Sequence, residues 1–215
     1  MEWEPAGRVV SVNVGRRRAV EWHGRIVESA IWKEPVEGRV AVRGVLVDGD
    51  EQADLRVHGG TDKAVYAYAL EDYQWWSARL DRALEPGTFG ENVTVAGFDP
   101  SDAVIGSRWR VGHTVLQVTE PRLPCFKLGM RMGDAAFVDD FAEAGRFGAY
   151  LSIVDEGDVG AGDLIAVSPR VDGITVRELG RAERTPDPLL AERVLADPAV
   201  PESWQDWARR RLARR

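Results

Sequence analysis

"NVTVAGFDPSDAVIGSRWRVGHTVLQVTE", residues 92 to 120, decides the class of fold. Its segments "NVTVAG", "RWRVG" and "TVLQVT" read as short strands, and turns rich in Gly, Asp and Pro separate them. Upstream, "RVVSVNVG" alternates Val10, Val12 and Val14 with Ser11 and Asn13, the period of a half-buried strand. "GRVAVRGVLV" repeats the pattern with Val40 and Val42, and "AVYAYAL" sets Tyr66 and Tyr68 on one face. Downstream, "FGAYLSIV" and "LIAV" return to strand. Many short strands with few helices predict a mainly β chain with some α, folded as a closed or nearly closed β-barrel. Closure removes the exposed strand edges that would otherwise pair with other chains.

Two stretches inside this region read as helix. In "EDYQWWSARLDRALEPG", Tyr73, Trp76, Leu80 and Leu84 recur at helical spacing, and Pro86-Gly87 stops the run. In "DAAFVDDFAEAGR", Asp134 can cap the start, Phe137 and Phe141 share a face, and Gly145 suits the position just past the end. After Pro169 the chain becomes helical and proline-punctuated. Pro201 can open the last helix, where Trp204 and Trp207 would dock it on the body. The division expected is a barrel domain over residues 1–168 and a short helical C-terminal extension over 169–215.

Composition narrows the function. The chain has 215 residues, 44% of them hydrophobic, enough for a core. A net charge of −7 argues against a general nucleic-acid binder, whose affinity rests on clustered positive charge. The apolar stretches fall short of the ~20 residues of a membrane span. The opening "MEWEPAGRVV" does not read as a secretory leader, so a reducing cytoplasm is expected. With one cysteine and three histidines (His23, His58 and His113), an all-protein zinc site is not expected. Basic residues are nearly all arginine: the lysines are Lys33, Lys63 and Lys127 alone. In such a chain a lysine hints at a place where a compact ammonium serves better than a planar fork.

Four segments can carry chemistry. In "VHGGTDKAVYAY", His58 precedes Gly59 and Gly60, which let backbone N–H groups approach a ligand; Asp62 and Lys63 follow, the lysine suited to a phosphate. A plain inter-strand turn accounts for the same glycines. In "GTFGENVTV", Glu91 and Asn92 present an acceptor and an amide at a sheet end, or form an ordinary polar turn. "EPRLPCFKLGMR" holds Cys125 in a loop stiffened by Pro121 and Pro124. Arg122 and Lys127 flank it and favour its thiolate, a nucleophile and soft metal ligand; a small buried hydrophobe is the other reading. In "EAGRFGAYLSIV", Arg146 either reaches an anionic ligand or caps helix carbonyls.

In their order and spacing these segments resemble the MOSC family, named after the C-terminal domain of molybdenum-cofactor sulfurase, and most of all its stand-alone YiiM-like branch. The likeness runs from about Gly7 to Ser168, and the tail is similar to a shortened form of that branch's helical extension. The resemblance implies a MOSC-type β-barrel and a molybdenum cofactor of the molybdopterin type, with Cys125 as the molybdenum ligand. It implies reduction of N-hydroxylated compounds such as hydroxylaminopurines, with electrons from an external flavin-containing reductase or flavodoxin-like partner. Lys63, Arg122, Lys127 and Arg146 are then candidate cations for the cofactor phosphate. Asn92, Glu91 and Asp62 are candidates for the pterin edge, and His58 for a proton donor. Two other functions use the same cysteine. One is a carrier of cofactor or of sulfur as a Cys125 persulfide. The other is a metal-free hydrolase built on Cys125, His58 and Asn92 or Asp62.

Overall fold

The computed structural model describes residues 2–52, 59–168, 170–185 and 187–213. The chain opens with β1 (Glu4–Val14), a hairpin of β2 (Arg18–Trp22) and β3 (Arg25–Ser29), and β4 (Glu34–Pro35). Next come β5 (Arg39–Arg43), β6 (Leu46–Val47), a 3-10 turn at Thr61–Lys63 and β7 (Val65–Ala69). Helix α1 (Leu70–Leu80) leads to β8 (Val93–Ala96), a 3-10 turn at Pro100–Asp102, β9 (Arg108–Val111) and β10 (Thr114–Pro121). Two helices, α2 (Phe126–Met132) and α3 (Phe137–Ala144), precede β11 (Ala149–Asp155), β12 (Gly157–Gly160) and β13 (Leu164–Ser168). The tail holds α4 (Val176–Arg181), α5 (Pro188–Ala196) and α6 (Glu202–Leu212).

Seven strands close the barrel in the order β13-β9-β10-β11-β7-β8-β1, and β1 returns to pair with β13. The fold is therefore the expected mainly β barrel with peripheral helices. The ladders are antiparallel except β7 with β8, which run parallel and are joined by the crossover through α1. β1 reaches both neighbours because it is long and bulged: its register shifts between Pro5 and Gly7 against β13, and between Val9 and Ser11 against β8. Among the described residues, no helix is long and apolar enough to cross a membrane.

All five residues of β7 are buried, since the strand lies between two apolar clusters. Val65 and Ala67 join barrel residues such as Val9, Leu116 and Ile165, a cluster continuous with Leu179, Ala191 and Trp207 of the tail. Tyr66 and Tyr68, on the other face as expected, join an aromatic cluster with Tyr73, Trp76, Phe89, Phe137 and Phe141. Trp204 and Trp207 dock α6 as expected, at 4% and 7% exposure.

Three local expectations change. Helix α1 stops at Leu80 because Asp81 turns left-handed (φ 49°), so Leu84 packs on the aromatic cluster from beyond the helix. Asp134 accepts the Ala136 N–H at 2.9 Å in a turn ahead of α3, one turn short of the helix proper, while Gly145 ends α3 left-handed at φ 66° as expected. The segment after Cys125, read as loop, is helix α2.

Barrel closure depends on close backbone approach at Gly7. A Cβ there would meet the Ala96 carbonyl oxygen at 2.2 Å, and backbone cannot give way as a side-chain tip can. Gly7→Ala is expected to destabilise the protein by about 1–3 kcal/mol. Denaturant titration checks this, and an unchanged midpoint would show that β1 relaxes freely.

Candidate functional site

A cavity of about 620 Å³, counting the space at its open mouth, lies where the barrel's end loops converge. Its lining comes from Ser29 at the end of β3 and Ala30, Ile31 and Lys33 after it, Asp50–Gln52, Lys63 and Tyr66, Phe89, Gly90 and Asn92, then Arg122, Cys125 and Lys127, and Tyr150 on β11. Five residues singled out in the sequence meet there: Lys63, Asn92, Arg122, Cys125 and Lys127.

Strand β10 delivers the cysteine segment. Pro121, the last residue of β10, still pairs with Ala149 of β11, and four residues later Cys125 takes the N-cap position of α2. Its carbonyl accepts the Leu128 N–H at 2.8 Å. Cys125 is half-buried and lines the cavity. Arg122 is 6% exposed, with its guanidinium 5.6 Å from the Phe141 ring centroid. Tyr150 stands beside these groups. Burial pushes its phenol up to about 12, with Arg122 pulling down and Cys125 pushing up.

The inner wall is a buried polar network. Asp50 pairs with Lys33, accepts the Asn92 amide at 2.8 Å and accepts the Gly15 N–H at 2.8 Å. Asn92 Oδ1 accepts the Tyr66 N–H at 3.1 Å, so Asn92 clips β7 to this network. Burial lowers the pKa of Lys33 despite the opposing effect of Asp50. Sequence reasoning missed Lys33 and Asp50 as site residues. The usable signal was lysine scarcity, because all three lysines of the chain line this one cavity.

Other candidates stand elsewhere. Glu91 is fully buried behind the wall, where Tyr73 Oη, the Gly87 N–H and Thr94 Oγ1 donate to it at 2.6, 2.7 and 2.7 Å. Burial raises its pKa, and these donors oppose the rise. Its side chain braces the loop at residues 87–94 and is not in the cavity lining. Asp62 contributes its carbonyl to Thr119 Oγ1 at 2.6 Å. Gly60 (φ 99°) turns the chain into the 3-10 turn; neither it, Gly59 nor the Asp62 side chain lines the cavity. His58 lies outside the described residues.

The structure does not bring Arg146 to this cavity. It pairs with the buried Asp72 and lies 4.6 Å from the Trp75 ring centroid, while the Gly145 carbonyl is taken by Arg177. The acid of helix α1 captures it first.

The lining fits an anionic ligand with a mixed hydrogen-bonding edge. Among the described residues, four cations line the cavity (Lys33, Lys63, Arg122 and Lys127) against two carboxylates, Asp50 and Glu51. Among the described residues, no carboxylate pairs with Arg122 or Lys127. Two lining residues carry buried polar atoms without a hydrogen-bond partner: the donor Arg122 Nη1 and the acceptor Gln52 Oε1. Cys125 is the chain's one thiol, and no group of three or more His, Cys, Asp or Glu among the described residues is placed to hold a metal. A metal taken by this thiol would bring further ligands of its own, as a molybdopterin-type cofactor does. The donor set thus fits that group, with cations for a phosphate and polar atoms for a pterin.

Asp72 gives a pH test for Arg146. Burial, then Asp99, raises the Asp72 carboxyl to about 6 from 3.8, while Arg146 pulls it down. A raised folded pKa stabilises at low pH, and that contribution is lost as pH rises through about 6. Removing Arg146 raises the pKa further and strands the carboxylate above that pH. Arg146→Met is therefore expected to cost about 1–3 kcal/mol at pH 8 and much less at pH 5. Thermal melts at the two pH values check this; equal losses would disconnect Arg146 from Asp72.

Comparison with known proteins agrees with this geometry. A family model described as "MOSC domain" matches residues 54–166. The chain is 37% identical over 200 residues to the uncharacterized protein YflK of Bacillus subtilis, covering 92% of this chain and 90% of that one. It is 32% identical over 196 residues to a protein of Gibberella moniliformis named "Reductase", covering 86% of this chain but 34% of that longer one. The crystal structure of YiiM from Geobacillus stearothermophilus superposes with a TM-score of 0.79 at 27% identity, over 96% of this chain and 99% of that one. The barrel, its cavity and these matches make the chain a member of the MOSC domain family.

Proposed function

We propose that the protein is a molybdenum-cofactor-dependent oxidoreductase that reduces N-hydroxylated small molecules, with Cys125 as the sulfur ligand to molybdenum. The observation that carries the reading is the meeting of the one cysteine and all three lysines in one cavity. Membership of the MOSC family supports association with the cofactor, and the relative named "Reductase" supports redox chemistry.

The overall reaction is R–NHOH + 2 e⁻ + 2 H⁺ → R–NH₂ + H₂O. The cofactor, when bound, supplies the two-electron redox chemistry, and its electrons come from an external flavin-containing donor. The chain's own residues bind and orient. Lys127 and Arg122, which have no carboxylate partner among the described residues, attract the cofactor's phosphate, and Lys63 adds a third charge. Gln52 Oε1 and Arg122 Nη1 offer an acceptor and a donor to the pterin. Asn92 acts indirectly, by holding Asp50 and the Tyr66 backbone in place. Tyr66 and Tyr150, 5.2 Å apart between ring centroids, form an aromatic wall that limits water in the cavity.

Cys125→Ser tests the reading. The change nearly preserves size but offers a harder, mostly protonated oxygen in place of a soft sulfur. The variant is expected to melt near the wild-type temperature and to lose reduction of a hydroxylaminopurine by at least about 100-fold, because losing even an outer-shell partner of a metal ligand costs about 10–100-fold. Molybdenum content and activity are measured separately, in protein loaded in a cofactor-competent host and compared at equal loading. Full activity in the loaded serine variant would falsify the ligand role. Loaded wild-type protein that never turns over with a chemical reductant would move the assignment to a cofactor carrier.

A further inference from the structure

Lys63 is held from behind. Its Nζ lies 3.3 Å from Glu120 Oε1, and the other oxygen, Oε2, accepts the Trp204 indole N–H at 2.9 Å. Glu120 is 5% exposed and Trp204 4% exposed, so both contacts lie inside the protein. Lys63 keeps 24% of its side chain exposed and lines the cavity. One buried carboxylate thus bridges the last helix of the chain and a cavity cation. The turn that carries Lys63 is pinned to the same strand, because Thr119 Oγ1 donates to the Asp62 carbonyl at 2.6 Å.

We propose that helix α6 positions the Lys63 ammonium in the cavity through Glu120, which makes Trp204 and Glu120 positioning residues of the site. This rests on the reading of the cavity as an anion site and gives the C-terminal tail a part in it. Packing alone does not require the arrangement. An indole buried in a core needs one acceptor, and a backbone carbonyl would serve. A carboxylate is costly to bury, and it is retained here with its second oxygen turned to a cation of the cavity. Burial raises the pKa of Glu120, while Lys63 and the Trp204 N–H pull it down. Among the described residues, Asp62 in the 3-10 turn and the Tyr150 phenol on β11 also act on it. Helix α4 also packs on β10, but its Arg177 and Glu178 are engaged with Asp99, Asp102 and Arg193.

Three lysines make the test direct. Protein labelled with ¹⁵N at lysine Nζ and tryptophan Nε1 is titrated with acid, cofactor-free and without ligand. In the wild type, the Lys63 and Trp204 signals are expected to move with one shared midpoint, that of Glu120. In Glu120→Gln the step disappears from both. In Trp204→Phe the Lys63 midpoint moves to higher pH, because a donor to the carboxylate is gone, while the Lys33 and Lys127 signals stay in place. Different midpoints in the wild type, or an unmoved Lys63 midpoint in Trp204→Phe, would overturn the proposal. If Trp204→Phe does not fold, the wild-type comparison decides alone. A second arm adds inorganic phosphate. It is expected to shift the Lys63 signal and to bind Trp204→Phe about fivefold more weakly, the lower end of ordinary coupling between sites; equal affinities would also overturn the proposal. Phosphate that perturbs no lysine signal of the wild type would sink the anion-site reading itself, and the shared midpoint would still decide the positioning role.

Discussion

Asp50 is a carboxylate with 8% exposure, and the cavity wall is built around satisfying it. A charge taken out of water is costly unless it is paired and hydrogen-bonded. Asp50 meets both conditions with groups from three segments: Lys33 after the β2–β3 hairpin, the Gly15 N–H past β1, and the Asn92 amide before β8. Asn92 extends the network to β7 through the Tyr66 N–H. Removing one partner leaves a buried charge exposed to the full desolvation cost, so the loops around this end of the barrel have little freedom to drift apart. That constraint gives the cavity a defined shape.

The same logic grades the cations. Lys33 and Lys63 each have a buried acid, Asp50 and Glu120, so their positions are set by the protein. Arg122 lies on the Phe141 ring, and it and Lys127 have no carboxylate partner among the described residues. The inner pair brings little net charge to the cavity; the outer pair would supply the attraction in the proposed anion site. In a protein of net charge −7, the described lining of the cavity thus holds more cations than carboxylates.

The barrel was legible because alternation survives in most of its strands, and because β7, buried on both faces, still sorts valine and alanine to one side and tyrosine to the other. Less legible were elements set by single backbone conformations. The β2–β3 hairpin turns on His23 and Gly24, both left-handed, and a left-handed histidine has no strong sequence signature. Helix α2 is seven residues long, contains Gly129 and follows two prolines, so no apolar period betrays it. Of the residues that line the cavity, Cys125, Lys63, Asn92, Arg122 and Lys127 could be singled out from their loop settings. The Lys33–Asp50 pair was not, because ion pairing between two loops depends on tertiary placement alone.

Arg122 and Arg146 show why local sequence could not sort the cations. Each flanks an end of one of the paired strands β10 and β11, and each stacks on an aromatic ring. What separates them is the nearest acid. Arg146 faces Asp72, a buried carboxylate whose own desolvation demands a cation, and the pair closes on itself. Among the described residues no acid pairs with Arg122, and its Nη1 has no hydrogen-bond partner beside the cavity. A buried guanidinium group in that state is a cost to the fold that a bound anion would repay. Asp72 on α1 therefore separates an arginine paired within the fold from one that lines the cavity.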